Sequence, residues 1–418
     1  MGFASTWLEE RALFPEIIQE PTDKQTGIIV VVPSYNESGI CKLLDSIALC
    51  NEPECKVEVI IVVNAPSDAS SESIENNKLT ILNVEGWKKE NKTCFFRLFA
   101  FIADTSLAGW GVGLARKTGM DEAVRRFNSI NYPEGIILNL DADCLVEDNY
   151  FTSVFNELLK RKDRKACSIY FEHSFSGDDF PKEIYKSIVL YELHLRFYYQ
   201  GLAYSGFPYV FHTVGSAIAV KALPYIKAGG MNRKQAGEDF YFIQKLVPAG
   251  GFFSLNTTTV YPSPRASFRV PFGTGASIEK LTKEKSTTLF TYNFLAFNDL
   301  RLFFAMTDDY YNSSPEELYK WYKLMPEGLR SFSNEKEWIN KIVEIKNNTS
   351  DILSFKKRFF GWFNMFKIVK YLNYVHQIYF EKKPVEISAL ELLENTGTDF
   401  RSKDPLKLLL YYRSLEKS

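Results

Sequence analysis

The stretch Gly135-Ile136-Ile137-Leu138-Asn139-Leu140-Asp141-Ala142-Asp143-Cys144 constrains this chain more than any other. A short apolar run bounded by glycine and by acids reads as a buried strand with parallel neighbours. In an open α/β sheet, ligands bind just outside the carboxyl ends of the strands. If the strand alternation continues, Asp141 and Asp143 project the same way and both meet one divalent cation. Such a hard ion, held by one or two carboxylates, fills its other positions with water and substrate phosphates. The competing reading is an ordinary turn after a strand, where aspartate is common. The rest of the chain has to decide between them.

Strand and helix patterns alternate on both sides of that stretch. Gly27 to Pro33 is a β-branched run, the loop Ser34-Tyr35-Asn36-Glu37-Ser38 follows, and Ile40 to Leu49 is apolar at helical spacing. Val57 to Val63 and Arg97 to Ile102 read as further strands, while the polar segment from Ser70 to about Lys89 fits neither period. Leu114 to Phe127 and Asn149 to Arg161 read as helices, and Ala166 to Phe171 as a strand. This alternation predicts βαβ units and a mainly parallel sheet flanked by helices. After Pro181 come a long aromatic helix, Glu183 to Tyr199, and a return to the sheet within Val210 to Val220. Gly237-Glu238-Asp239 opens a helix running to Val247, and Pro262 to Gly275 is a loop rich in proline, glycine and arginine. Beyond about residue 280 only helical patterns remain. Three regions are expected: a lead-in over 1–26, a catalytic domain over 27–280 and a helical C-terminal extension over 281–418.

Composition excludes several classes. The 418 residues are 45% hydrophobic, ample for a core, and the formal net charge of −1 offers no basic field for nucleic acid. Six cysteines stand without metal or redox spacing, as reduced thiols of a cytoplasmic protein would. No signal peptide and no run of about 18 uncharged apolar residues is present.

Taken in order, Val31-Val32-Pro33-Ser34-Tyr35-Asn36-Glu37, Asn64 to Asp68, Gly113-Leu114-Ala115-Arg116, Asp141-Ala142-Asp143 and Gly237-Glu238-Asp239 resemble the family 2 glycosyltransferases, which have the GT-A (Rossmann-like) fold. The resemblance spans roughly residues 27 to 280. It implies an enzyme that moves a sugar from a nucleotide-diphosphate sugar to an acceptor hydroxyl, with inversion, in surface glycan or glycoconjugate synthesis. It further implies a divalent cofactor, Mn2+ or Mg2+, on Asp143, with Asp141 nearer the nucleoside. Pro33, Tyr35 and Glu37 would line the nucleotide pocket, although a plain strand-to-helix turn would look the same. Asp239 would be the general base and Glu238 its neighbour, although both also suit the first turn of a helix.

Departures from the family pattern carry information. Asn64 stands where Asp is frequent, which leaves the base open, since an amide both donates and accepts. Lys117 replaces the usual Asn after Ala115-Arg116; Arg116 would bond the nucleotide or a site carboxylate, or be a solvated helix residue. Gly215 and Ser216 match an acceptor-side turn, and Arg265 and Arg269 sit on a loop suited to cover a diphosphate. The Gln-x-x-Arg-Trp motif of membrane-bound members is absent, which argues against a processive synthase. His212 reads as a core histidine rather than a ligand. Gly109 to Gly113 does not complete Gly-x-Gly-x-x-Gly in either register.

Phe355 to Phe380 is amphipathic over its whole length. It would pack against the catalytic domain, or else touch a lipid-linked acceptor or the inner face of a membrane. Two other functions compete with the main reading. A nucleotidyltransferase would want a glycine-rich basic loop after the first strand, which Ser34 to Ser38 is not. A non-catalytic sugar-nucleotide-binding protein would not need both Asp143 and Asp239.

Overall fold

In the computed structural model, which describes residues 2–103, 110–233, 237–267 and 273–417, helix is confined to Ser5–Arg11 (α1) in the lead-in. The first strand, Thr26–Ser34 (β1), is buried along its whole length. Then come Ile40–Ala48 (α2), Lys56–Val63 (β2), Ser71–Glu90 (α3), Phe96–Ile102 (β3), Val112–Ser129 (α4) and Ile136–Asn139 (β4). Leu145–Val146 (β5) is brief, and Tyr150–Val154 (α5) continues as a π-helical turn, Phe155–Leu159. Ala166–Phe171 (β6), Lys182–Tyr204 (α6), Ile218–Lys221 (β7), Ala222–Lys227 (α7), Glu238–Leu246 (α8) and Phe252–Tyr261 (β8) follow.

Eight strands form one sheet in the order β3-β2-β1-β4-β7-β6-β8-β5. β1 pairs in parallel with β2 and β4, β2 with β3, and β6 with β8. β7 runs antiparallel to both β4 and β6, and β5 antiparallel to β8. Because β7 is reversed, its leading end reaches the edge where β1, β2, β4, β6 and β8 present their carboxyl ends. The loops that follow β1, β2 and β4, and the one that leads into β7, therefore open on that one edge.

The buried helix α4 is the spine of this unit, which comprises Met1–Gly177 and Phe211–Ala276. Gly119 lets its backbone lie on the sheet, since a Cβ there would collide with Val31 Cγ1 and reach within 3.0 Å of Val62 Cγ2. Buried charges along α4 are all paired, as they must be away from water. Arg126 forks onto Glu58 of β2, Lys117 Nζ lies 2.6 Å from Asp121, and the Tyr225 hydroxyl donates to the same Asp121 at 2.7 Å.

The second unit comprises Asp178–Val210 and Ser277–Ser418. Within it α6 is joined to the last helix, Pro405–Lys417, by a buried ion network. Glu192 accepts from Arg196 and Arg413, and Arg196 also meets Glu416 at 2.6 Å. Among the described residues no helix is long and apolar enough to cross a membrane.

The structure corrects several expectations. The polar segment after Ser70 is the helix α3, started by the Ser70 side chain accepting from Ser73 N–H. A strand, β8, occupies 252–261, where none was expected; its second half, Thr257-Thr258-Thr259-Val260-Tyr261, is β-branched enough to have signalled it. Past residue 280, Phe290–Thr291 and Lys383–Pro384 pair as a short antiparallel ladder. The single amphipathic helix over 355–380 is two helices, Ile352–Trp362 and Met365–Ile378, divided where Asn364 caps the second. Their apolar faces are buried in the second unit: Phe359 and Phe363 pack on Phe303, at ring separations of 5.6 and 4.9 Å.

Phe359 is fully buried and Trp362 only half so. Phe359→Ala is therefore expected to cost about 3–5 kcal/mol in urea unfolding, and Trp362→Ala clearly less. Equal losses for the two would show that the face is not packed as described.

Candidate active site

The strand β4 stops at Asn139, so Asp141 and Asp143 are not related by strand alternation. A turn brings them together instead, closed by the Cys144 N–H donating to the Asp141 carbonyl at 3.0 Å. Asp141, Asp143 and Cys144 each offer a ligand atom, all within 4.8 Å of one another. Burial pushes the Cys144 thiol well above its usual range, despite a hydrogen bond with Ser216. Two of the three donors are carboxylate oxygens carried on the same turn. That set suits a hard ion such as Mn2+ or Mg2+ rather than a soft one.

Arg116 is not a solvated helix residue. It lies in α4 at 4% exposure, with one nitrogen 2.5 Å from Asp141 and another on Glu238. Burial works against its charge, but Asp141 and then Glu238 outweigh that cost and hold the guanidinium protonated. Three separate elements thus meet at one cation: the turn after β4, the N-terminal part of α4, and the start of α8.

Gly215 belongs to the same arrangement. A Cβ at this position would overlap the Arg116 guanidinium, reaching 2.6 Å from its central carbon. The resemblance assigns the small residue to acceptor approach; the structure adds a demand from behind, where Arg116 is fixed. Ser216, beside it, is buried.

Glu238 and Asp239 open α8 after Gly237, whose φ of 72° is a left-handed conformation that glycine adopts without strain. Glu238 is 2% exposed. Burial pushes its carboxyl up to about 7, against the pull of Arg116 and with Asp239 adding to the rise. Asp239 is half-buried; burial raises it too, opposed by Arg116 and by the Phe240 N–H that donates to it at 2.7 Å.

Arg265 reaches back from the loop after β8. Its Nη1 lies 2.5 Å from Glu37 and its Nε 2.7 Å from Asp143. Burial disfavours the charge, and Asp143 followed by Glu37 more than restores it. Arg269 lies outside the described residues. Pro33 ends the buried strand β1 and Tyr35 is half-buried beyond it. His212 is half-buried and packs edge-on against Phe171.

Two residues that the sequence reading missed hold the loop after β1. Asn36 has a left-handed φ of 53°. Its N–H donates to Asn77 Oδ1 at 2.9 Å, and its side chain accepts from Asn76 Nδ2 at 2.8 Å. Asn77 also donates to the Asn64 carbonyl at 2.8 Å, which joins the loops after β1 and β2. The signal was the Asn76-Asn77 pair inside the unassigned segment; without the helix there was no face to put it on.

No protein-family model matches the sequence, and no curated protein does. Among solved structures the chain is similar to TarS 1-349 of S. aureus in complex with UDP-GlcNAc, at 16% identity and a TM-score of 0.39 over 94% of this chain and 90% of that one. It is also similar to the mannosyltransferase PcManGT of Pyrobaculum calidifontis in complex with GDP-Man and Mn2+, at 12% identity and a TM-score of 0.37 over 99% and 92%. A third is glucosyl-3-phosphoglycerate synthase of Mycobacterium tuberculosis with Mn2+, UDP and glucosyl-3-phosphoglycerate, at 14% identity and 0.36 over 64% and 84%. Against another structure of TarS 1-349 the chain spans 60% of that protein's length. Likeness this loose leaves the chemistry to be carried by the residues themselves.

Gly215→Ala tests the clamp. The guanidinium is held by a carboxylate on either side and has nowhere to retreat, so the added methyl is expected to cost about 1–3 kcal/mol of stability in chemical denaturation. An unchanged unfolding midpoint would mean that Arg116 is not fixed there.

Proposed function

We propose that this chain is a metal-dependent, inverting glycosyltransferase of the GT-A type, which transfers a sugar from a nucleotide-diphosphate donor to an acceptor hydroxyl of a glycan or lipid-linked molecule. The observation that carries this reading is the Arg116 clamp, which joins the Asp141–Asp143 turn to the Glu238–Asp239 pair on one sheet edge. A donor site and a base site are both needed for group transfer, and the clamp fixes the first against the second.

Asp143, with Asp141 beside it, would hold Mn2+ or Mg2+; when bound, the ion supplies Lewis-acid neutralisation of the leaving diphosphate. Pro33, Tyr35, Glu37 and Asn64 stand at the ends of β1 and β2, where a nucleoside would lie against backbone and polar side chains. Arg265 bridges Glu37 and Asp143 in this arrangement. Turning from them onto the diphosphate would carry its charge to the leaving group, with the loop of Arg265 and Arg269 closing over it.

Glu238 is pinned by Arg116, which suits an orienting role. Asp239 is less buried and takes the acceptor proton in this reading. Its carboxyl is raised by burial, which strengthens it as a base. A base must be deprotonated, so kcat should rise with pH through a pKa above the ordinary 3.8 of aspartate.

The alternatives fare worse on these residues. A nucleotidyltransferase lacks its phosphate loop after β1, and a merely binding protein has no use for a raised acid pair across from the aspartates. Asp239→Asn keeps size and removes basicity. Donor binding is expected to survive, with kcat lower by roughly 10²–10⁴-fold, and the wild-type product to have inverted anomeric configuration by NMR. Near-normal turnover in the variant, or a retained configuration, would refute the mechanism.

A further inference from the structure

At the opposite end of the same sheet lies a pocket of about 190 Å³. Lys162, Lys165, Lys221, Lys227 and Lys245 line it, with Glu134 as the one acid. It is formed where β6 and β8 begin, where β7 ends and just before β4 begins, so the length of the strands separates it from Asp141 and Asp143. Leu223, Pro224, Leu246 and Phe252 supply an apolar part of the wall.

The charges there do not balance. Lys221 is buried and spent on Glu134, 2.7 Å away, and on the Arg161 carbonyl. Lys165 donates to the Ala249 carbonyl at 3.1 Å. Lys162, Lys227 and Lys245 are exposed, and no carboxylate among the described residues pairs with them. The chain as a whole is close to neutral, at −1, so this concentration of cations is local. Lys227 and Lys245 stand in the last turns of α7 and α8, where a cation complements the helix dipole. That accounts for each alone, and not for their convergence with Lys162 and Lys165 on one concavity.

We propose that this pocket is a second, non-catalytic anion site that binds a phosphate-bearing group. Its volume is below that of most small-molecule sites, roughly 300–1,000 Å³, so it takes a headgroup rather than a whole nucleotide. Several lysines, each a compact point charge, suit a multiply charged anion such as a phosphate better than a single carboxylate. The phosphate could belong to a soluble phosphorylated molecule or to an anionic lipid at a membrane surface. Either would relieve the mutual repulsion of the unpaired lysines.

The test uses the full chain in chelator, so that a metal-dependent site at Asp143 does not contribute. Inorganic pyrophosphate is titrated by calorimetry in one arm, and co-sedimentation with phosphatidylglycerol vesicles is measured in the other. Wild type is compared with Lys227→Gln/Lys245→Gln, two exposed positions remote from the candidate active site. Binding in at least one arm is expected, weaker in the variant by roughly thirtyfold, about fivefold for each lysine. Pyrophosphate binding without vesicle binding would assign a soluble ligand, and vesicle binding would assign a lipid headgroup. No binding by wild type in either arm, or equal binding by the variant, would overturn the proposal. Because no metal is present, failure here leaves the reading of Asp143 and Asp239 standing.

Discussion

The guanidinium of Arg116, shared between Asp141 and Glu238, is the interaction on which the site depends. A buried ion triad is poor evidence of stability, because desolvation offsets most of the attraction. Its consequence is positional. Asp141 follows the central strand and Glu238 begins a helix nearly a hundred residues later, and the shared cation fixes one against the other. The buried helix α4 brings that cation from behind, and Gly119 and Gly215 are the two places where a side chain would hold it off. The raised carboxyl of Glu238 is the electrostatic cost of the same geometry: burial and a neighbouring Asp239 press on an acid that Arg116 and a backbone N–H hold.

A second cation, Arg265, covers the other half of the aspartate turn. Asp141 and Asp143 each face a guanidinium, so both acids are paired before any ligand arrives. A divalent ion entering this turn competes with Arg265 for Asp143 more directly than it competes with Arg116, because Arg265 comes from a loop and is the more exposed of the two. The loop that would cover a diphosphate is thus linked, through one side chain, to the residue that would hold the metal.

Much of this was legible in the chain. The β-branched run of β1 and the apolar run of β4 announced a sheet, and the carboxyl ends of its strands announced the site. What escaped had physical reasons. The helix α3 has no apolar stripe, so its period is silent, and with it went Asn77, which joins the loops after β1 and β2. The two aspartates converge through a turn, which sequence spacing does not distinguish from a continuing strand. The burial of Arg116 could not be foreseen, since its partners are 25 and 122 positions away. The break between the two aromatic helices of the second unit rests on one capping residue, Asn364, within an otherwise continuous apolar pattern.

The central claim is that the aspartate turn is where a metal and a diphosphate meet. The most direct measurement is calorimetric titration of UDP and of GDP into the protein, with manganese and with chelator, for wild type and for Asp143→Asn. One of the two nucleotides is expected to bind wild type only when manganese is present, and to bind the variant far more weakly. Binding of equal strength in chelator, or binding that the substitution leaves unchanged, would contradict the account.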